Sequence, residues 1–498
     1  MDKQIKMGAA LSYLNIVSKN IVNFMYTPFL LRYVGQVDYG LFQMTNSVIL
    51  SLGLLSMGFS SAYVKYYMVY HVQHDEESIR KLNGIYALLF IGISFVSLII
   101  GAMLVFNTGH IFGAQLTSGQ VMLMRNLMMI MVLNVALTFI STIFDSNITV
   151  NEQFVFQQSR QLMQTFLVPV VCVPLILFGM GVLAIVITQI AVTIFFLLLN
   201  ISYCLRKLKM RFKFTDMPVG LLKGLLSFSF FIFLNQVVDL VNNNVPNFIL
   251  GILKGADLVA TFAIAIQIKN MFYMLSTSLS GMFIPKVNRL VSLNRSTTEL
   301  TDLMIRVGRI QMSVLFFVLG GFIVVGQYFI HLWAGDANRE AYGLIILMVL
   351  PSIVPLSQNI GIEIQKAMNK HILRSVTYFI FAIVNILVTI IGATYFGLFG
   401  AAMGYVTSIV FANGILMNWY YSRYIGLDMR RYWRKTINVL LPFIITTGCV
   451  GSLQLVHPVY SLLTFILFGL LYALVYGVIY IKYVANQYEK QMYRSLKR

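Results

Sequence analysis

Charge is scarce in this chain, and negative charge is scarcest. Of 498 residues only 11% are Asp, Glu, Lys or Arg, and 17 acidic side chains stand against 36 basic ones. A soluble domain carries about a quarter of its residues charged, so this chain cannot cover a water-exposed surface of ordinary composition. Cysteine is nearly absent: Cys172, Cys204 and Cys449 lie within or at the ends of apolar segments, which excludes a disulfide framework. Missing as well are a phosphate-binding G-x-x-x-x-G-K-[ST] loop, an H-E-x-x-H pair and any Cys/His zinc spacing. An ATP-driven pump and a metal-dependent enzyme are therefore disfavoured, and neither a metal nor an organic cofactor is expected. No long loop exists on the outer side that would carry the acidic or basic groups of a membrane glycosyltransferase or polymerase.

What the chain does have is apolar length. Hydrophobic residues make up 58% and the mean hydropathy is +0.80. Runs long enough to cross a bilayer, about 18 residues or more, fall at roughly 8–31, 39–64, 84–106, 121–144, 161–179, 182–203, 224–250, 258–284, 310–330, 341–363, 374–395, 398–420, 437–456 and 460–481. They predict an all-α polytopic membrane protein of about fourteen transmembrane helices. The first run is too long, and too interrupted by Lys19, to be a cleavable signal. Lysine and arginine cluster in alternate connections, leaving only Arg32, Lys254 and Arg339 in the others and Lys19, Arg125 and Lys269 within runs. That asymmetry places both termini in the cytoplasm. The net charge of +19 is thus read as topology and contact with anionic membrane lipids, with no nucleic-acid partner.

The stretches TPFLLRYVGQVDYGLF (27–42) and VPNFILGILKGADLVATF (245–262) share an order of features: a proline, an apolar run, a glycine turn, an aspartate and a phenylalanine opening the next helix. NEQFVFQQSR (151–160) pairs more faintly with MNKHILRS (368–375), and the tight link G-M-G (179–181) with G-L-F-G (397–400). Together they predict two parallel six-helix lobes, 1–223 and 224–425, followed by a carboxy-terminal helical pair with a cytoplasmic tail, 426–498. The polar connection 204–223 separates the lobes.

The opening of the chain resembles that of the polysaccharide-exporter flippases, which translocate O-antigen and capsule oligosaccharides in bacteria. The residues that carry the likeness are Pro28, Leu30-Leu31-Arg32, Gly35 and Tyr39-Gly40-Leu41, with GLFGAAMG at 397–404 and the six-plus-six-plus-two helix count. The wider superfamily also holds multidrug and toxin extruders and lipid II flippases. The resemblance implies a multi-pass protein of the bacterial inner membrane with two lobes around a cavity lined by helices 1, 2, 7 and 8. It implies alternating access acting on an undecaprenyl-diphosphate-linked oligosaccharide, in company with a polysaccharide polymerase and glycosyltransferases, and a monomeric working unit.

Several polar groups within the runs are candidates for the site. In the first, Ser12, Asn15, Lys19 and Asn23 share one helical face. Lys19 lies about eleven residues, roughly 16 Å of helix, from the start of its run, too deep to snorkel easily, so it is expected to line a water-filled cavity or to pair with Asp239. The seventh run carries Asn235, Asp239, Asn242 and Pro246 on one face, and the eighth carries Lys269 with Tyr273, Ser276 and Ser280. Lys19 and Lys269 are expected to attract a diphosphate, and Asn15, Asn23, Asn235, Asn242 and Tyr273 either to bind sugar hydroxyls or, in the case of the amides, to hold helices together inside the bundle. Asp239 is a candidate for proton or sodium coupling, or a counterion to a lysine. Pro28 and Pro246 are candidate hinges, while Arg32, Gly35 and Tyr39 belong to the opening motif. An ion-coupled extruder of the same fold and a non-transporting component of glycan assembly remain as alternatives; the first would require a predominantly acidic cavity.

Overall fold

Each of the fourteen apolar runs falls on helix, several of them in two pieces, in a computed structural model that describes residues 2–496 apart from 57, 216–218 and 371. Among the described residues there is no strand. A backbone in hydrocarbon must satisfy its own N–H and C=O groups, and a helix does so within one segment. Among the described residues, ten helices are long and apolar enough to cross a membrane, or eleven if one bent pair counts as a single span. One of the ten, Ile372–Ile425, runs 54 residues and turns back at Gly397, so it holds two of the predicted runs; the runs at 8–31 and 224–250 are helical but are not among the ten. The chain is a multi-pass membrane protein of all-α architecture.

Contacts divide the chain into two compact units, residues 1–260 and 261–498. The first holds α1 (Asp2–Tyr33), α2 (Gln36–Leu52), α3 (Phe59–Val72), α4 (Glu76–Phe106), α5 (Ser118–Val150), α6 (Phe154–Leu175), α7 (Leu183–Ser202), α8 (Val219–Asn243), α9 (Val245–Lys254) and the first residues of α10 (Ala256–Gly281). Its core forms where α3, α4 and α5 meet: Tyr63 and Tyr86 stack at 4.3 Å, and both are fully buried. Such rings need partners for their hydroxyls. Tyr63 donates to Asn83 Oδ1 at 2.7 Å and accepts from Asn147 at 3.1 Å, while the Tyr86 hydroxyl lies 2.8 Å from that of Ser146. Asn83 then donates to the Arg211 carbonyl, and the Lys213 N–H to that of Arg80. The basic connection after α7 is therefore docked along α4 over 211–213.

The second unit is organised around a 38-residue helix. It comprises the rest of α10, α11 (Ile284–Ser292), α12 (Thr297–Ala334), α13 (Ala341–Ser357), α14 (Asn359–Ala367), α15 (Ile372–Ser408), α16 (Met429–Thr436), α17 (Leu440–Val456), α18 (Leu462–Ile479) and α19 (Gln487–Leu496). The long helix α12 packs against α13, α17 and α18. In its first half Arg309, which sequence reading assigns to a cytoplasmic connection, is buried. It grips Glu489 of α19 with Nε at 2.7 Å and Nη2 at 3.1 Å, and donates to the carbonyls of Lys435 and Val484. Glu489 also caps α19, accepting the Asn486 N–H at 2.9 Å.

Unusual backbone conformations recur at a nearly constant offset along the chain. Gly35 (φ 92°, ψ 159°) opens α2 and Gly255 (φ 91°, ψ −178°) opens α10; the hairpin residues Gly181 (φ 55°, ψ −143°) and Gly397 (φ 58°, ψ −131°) match likewise. These regions are open essentially to glycine alone. Left-handed His74, Glu152 and Lys209 are echoed by Asn294, Asn369 and Gly426. The hydrogen bonds repeat too: Asp75 N–H to Tyr70 and Arg295 N–H to Leu290, Gln153 to Ile148 and Lys370 to Gln365, all six-to-one helix closures. In the hairpin of α15 the two arms meet glycine against glycine, and a Cβ on either Gly400 or Gly392 would run into the backbone of the other.

Two stability outcomes follow. Gly400→Ala should destabilise the protein by about 1–3 kcal/mol, the range of an overpacked interior, whereas Gly448→Ala, with open space around its Cβ, should be near neutral in thermal unfolding of nanodisc-embedded protein. Glu489→Ala strands a buried guanidinium and should lower stability by about 3–5 kcal/mol, more than the paired change Arg309→Met with Glu489→Leu.

Candidate functional site

The polar stripe of α1 is divided between two environments. Asn15 is 8% exposed and turns into the seam with α6, where its amide donates to Gln161 Oε1 at 3.0 Å and Gln158 Oε1 at 3.4 Å and its oxygen accepts from Thr165 at 3.4 Å. Amide pairs of this kind are glue between apolar helices. Asn15 is therefore a packing residue and not a sugar ligand on an open wall. One turn further, Lys19 is exposed and has no ion pair among the described residues, so the anticipated partnership with Asp239 is not formed. Asn23, another turn on, is exposed, and its carbonyl accepts from Thr27 at 2.9 Å.

α8 carries Asp239 exposed, its carbonyl accepting from Asn243 at 3.0 Å, and Asn242 half-buried; the side chain of Asn235 lies outside the described residues. Pro28 sits inside α1, and Arg32 is exposed in its last turn. Gly35 then makes the turn, Tyr39 is buried with its N–H on the Gly35 carbonyl, and Gly40 lies so close to Ala256 that a Cβ would strike its backbone. Pro246 is buried in the first turn of α9. The opening motif thus has a mechanical meaning: it brings the start of α2 onto the start of α10, with Gln36 Nε2 on the Asp257 carbonyl at 3.2 Å.

On α10 the expected stripe faces inward. Lys269 is 1% exposed, with its ammonium 4.3 Å from the ring centre of Tyr405 and 5.9 Å from that of Tyr273. The expectation that Lys269 stands on an open cavity wall is therefore revised: its face is turned into the bundle, where aromatic faces attract a cation. Ser352 donates to the Met348 carbonyl, so the 2.8 Å contact to Tyr405 is donated by the tyrosine, and the 2.8 Å contact between Tyr273 and Tyr405 by Tyr273. This chain of hydroxyls fixes the Tyr405 ring beside the ammonium. Ser276 donates to Leu356 O and accepts from Gln311 and Asn359, tying α10 to α12, α13 and α14.

Tyr405, Ser352 and the α6 partners of Asn15 were not singled out from the sequence. Gln158, Gln161 and Thr165 repeat at helical spacing and mark a polar face to match that of α1; Tyr405, 136 positions from Lys269, leaves no local sign. A double-mutant cycle on Lys269→Met and Tyr405→Leu, read by thermal unfolding in nanodiscs, should give a coupling of about 0.5–2 kcal/mol, while Tyr405→Phe should retain most of it.

Comparison with known proteins places this geometry. The structure is similar to that of the lipid II flippase MurJ in an inward closed conformation, with 15% identity and a TM-score of 0.67, covering 98% of this chain and all of that one. It is also similar to the MATE multidrug transporter DinF-BH, with 15% identity and a TM-score of 0.59 over 84% of this chain and 95% of that one. An inward-facing multidrug resistance transporter of the MOP superfamily gives 15% identity and a TM-score of 0.55, again over 84% and 95%. No curated protein sequence matches. The model of the family described as polysaccharide biosynthesis protein matches residues 29–342, well over half of the chain. On that match, and with the flippase and transporter fold beneath it, the chain belongs to the polysaccharide biosynthesis protein family.

Proposed function

We propose that the protein is a flippase that moves an undecaprenyl-diphosphate-linked oligosaccharide across the bacterial cytoplasmic membrane by alternating access, for the building of cell-surface polysaccharide. The family match on a fold shared with a lipid II flippase supports a transporter of lipid-linked glycan precursors. The observation that carries the mechanism is Lys19: an ammonium in the middle of a 32-residue helix, exposed and without an ion pair among the described residues. Facing acyl chains, it would cost about 2.5–3.5 kcal/mol or more. Facing an aqueous passage, it is a receptor for an anion.

Lysine suits a diphosphate that must be let go, since it meets phosphate as a mobile point charge and not as a two-pronged clamp. Asn23, next on the same face and also exposed, supplies an amide for hydroxyls. Lys269 contributes from inside the second unit by holding α10 in register, and Asp239 remains the acidic group on α8 through which protons or sodium would couple. Reconstituted in proteoliposomes with a fluorescent undecaprenyl-diphosphate oligosaccharide, the protein should translocate it. Lys19→Ala should lower the initial rate at least tenfold and Lys19→Arg should slow release more than uptake, both at unchanged thermal stability. Efflux of small organic cations with no glycan movement would instead identify an extruder.

A further inference from the structure

A cavity of about 400 Å³ lies wholly within the second unit, between the end of α12, the turn into α13 and the turn before α18. It is lined by Tyr328, Tyr342, Tyr460, Gln327, His331 and Arg339. Its volume lies at the lower end of the roughly 300–1,000 Å³ usual for small-molecule sites. The wall is organised by one carboxylate: Asp336 Oδ1 takes His331 Nδ1 at 2.7 Å and Arg339 Nε at 2.8 Å. Those two neighbours hold the Asp336 carboxyl below its usual range. With Nε and Nη2 on Asp336, Arg339 keeps Nη1 unengaged among the described residues. Tyr342 is fixed by its hydroxyl, which donates to the Ile323 carbonyl at 2.7 Å, whereas Tyr460 is 79% exposed at the rim.

Flat apolar rings beside an amide, an imidazole and a guanidinium match the two faces of a sugar ring: C–H groups that lie on aromatics, and hydroxyls that need directed donors and acceptors. We infer that this cavity is a saccharide-binding subsite, sized for one or two sugar rings and built from residues of the second unit alone. That it opens on the outer face of the membrane rests on the proposed topology, in which the turn bearing Arg339 is external; the recognition chemistry does not. In that position it would receive the glycan end of a delivered precursor.

Saturation-transfer NMR on the full chain in phosphatidylcholine nanodiscs tests it, without alkyl-maltoside detergents, whose headgroups are themselves sugars. The probes are D-glucose, D-galactose, N-acetyl-D-glucosamine and D-glucuronate. At least one should give a saturable signal, weakened tenfold or more by Tyr460→Ala and by Arg339→Ala. Both side chains are largely exposed, so the fold should persist, as a melting curve will show. Silence from all four sugars, a signal that survives both substitutions, or one abolished by replacing phosphatidylcholine with phosphatidylglycerol would overturn the assignment, the last in favour of a lipid headgroup site. Because the readout is binding and not translocation, its failure is distinguishable from failure of the flippase reading.

Discussion

An ionised side chain in apolar surroundings is tolerated only when something answers its charge, and much of this structure is arranged around such answers. Arg309 is met by a bidentate carboxylate and two backbone carbonyls. Asp145, near the carboxy-terminal end of α5, is met by Arg160 at 2.5 Å, Asn200 at 3.0 Å and Ser141 at 3.2 Å. Lys269 rests against two tyrosine faces. Each answer joins elements distant in sequence, so the burial of one charge fixes the position of a second helix. Lys19 is treated differently, being neither buried nor ion-paired among the described residues. In the proposed mechanism that contrast with Arg309, Asp145 and Lys269 is the reason to place the anionic ligand at Lys19.

The recurring turns show which features the two halves of the chain have in common. Glycine hairpins, left-handed closures and helix-opening glycines return with nearly the same dihedral angles, yet the side chains around them differ. Where the first unit pairs Asp145 with Arg160, the comparable stretch of the second sends Glu363 to Lys366 at 2.8 Å and lays Arg374 over the Tyr378 ring at 4.8 Å. Backbone geometry is constrained by the need to close helix ends without exposed polar groups, a constraint that applies equally in both halves of the chain. Side-chain chemistry is under no such shared constraint, and an exposed lysine stands in one unit and an aromatic-lined cavity in the other.

Much of the helical frame was legible before any coordinates, because apolar length and glycine placement are local properties. The fourteen runs fall on helix, and the motif residues Gly35 and Gly40 lie at a turn and a close approach that require glycine. Periodicity also put Ser12, Asn15, Lys19 and Asn23 on one face. It could not say that the face straddles a helix seam, because that depends on where α6 lies. For the same reason Lys269 read as a cavity residue: a charged position announces that it avoids lipid, but bundle interior and water-filled passage satisfy that rule equally. Arg309 misled differently. Its place in the connection just before the run at 310–330 reads as a cytoplasmic charge, and only the distant Glu489 reveals it as a buried latch.

The division of labour between the two kinds of cation bears on mechanism. Arg160, Arg309 and Arg374 are all partly or fully buried and engaged by carboxylate, carbonyl or aromatic groups, the use to which a planar, rigid guanidinium is suited. Such groups hold a structure in one arrangement. A passage that must take up an anion on one side and surrender it on the other needs the opposite property, a charge strong enough to attract but with no fixed geometry to be broken on release. An exposed lysine on a long helix meets that requirement, and in the proposed mechanism its ammonium would follow the diphosphate by rotation about its own stem. Arg160 and Arg309 each join elements within one unit, Arg374 lies over a ring of its own helix, and Asn15 holds α1 to α6, so the proposed role of Lys19 asks nothing of those contacts.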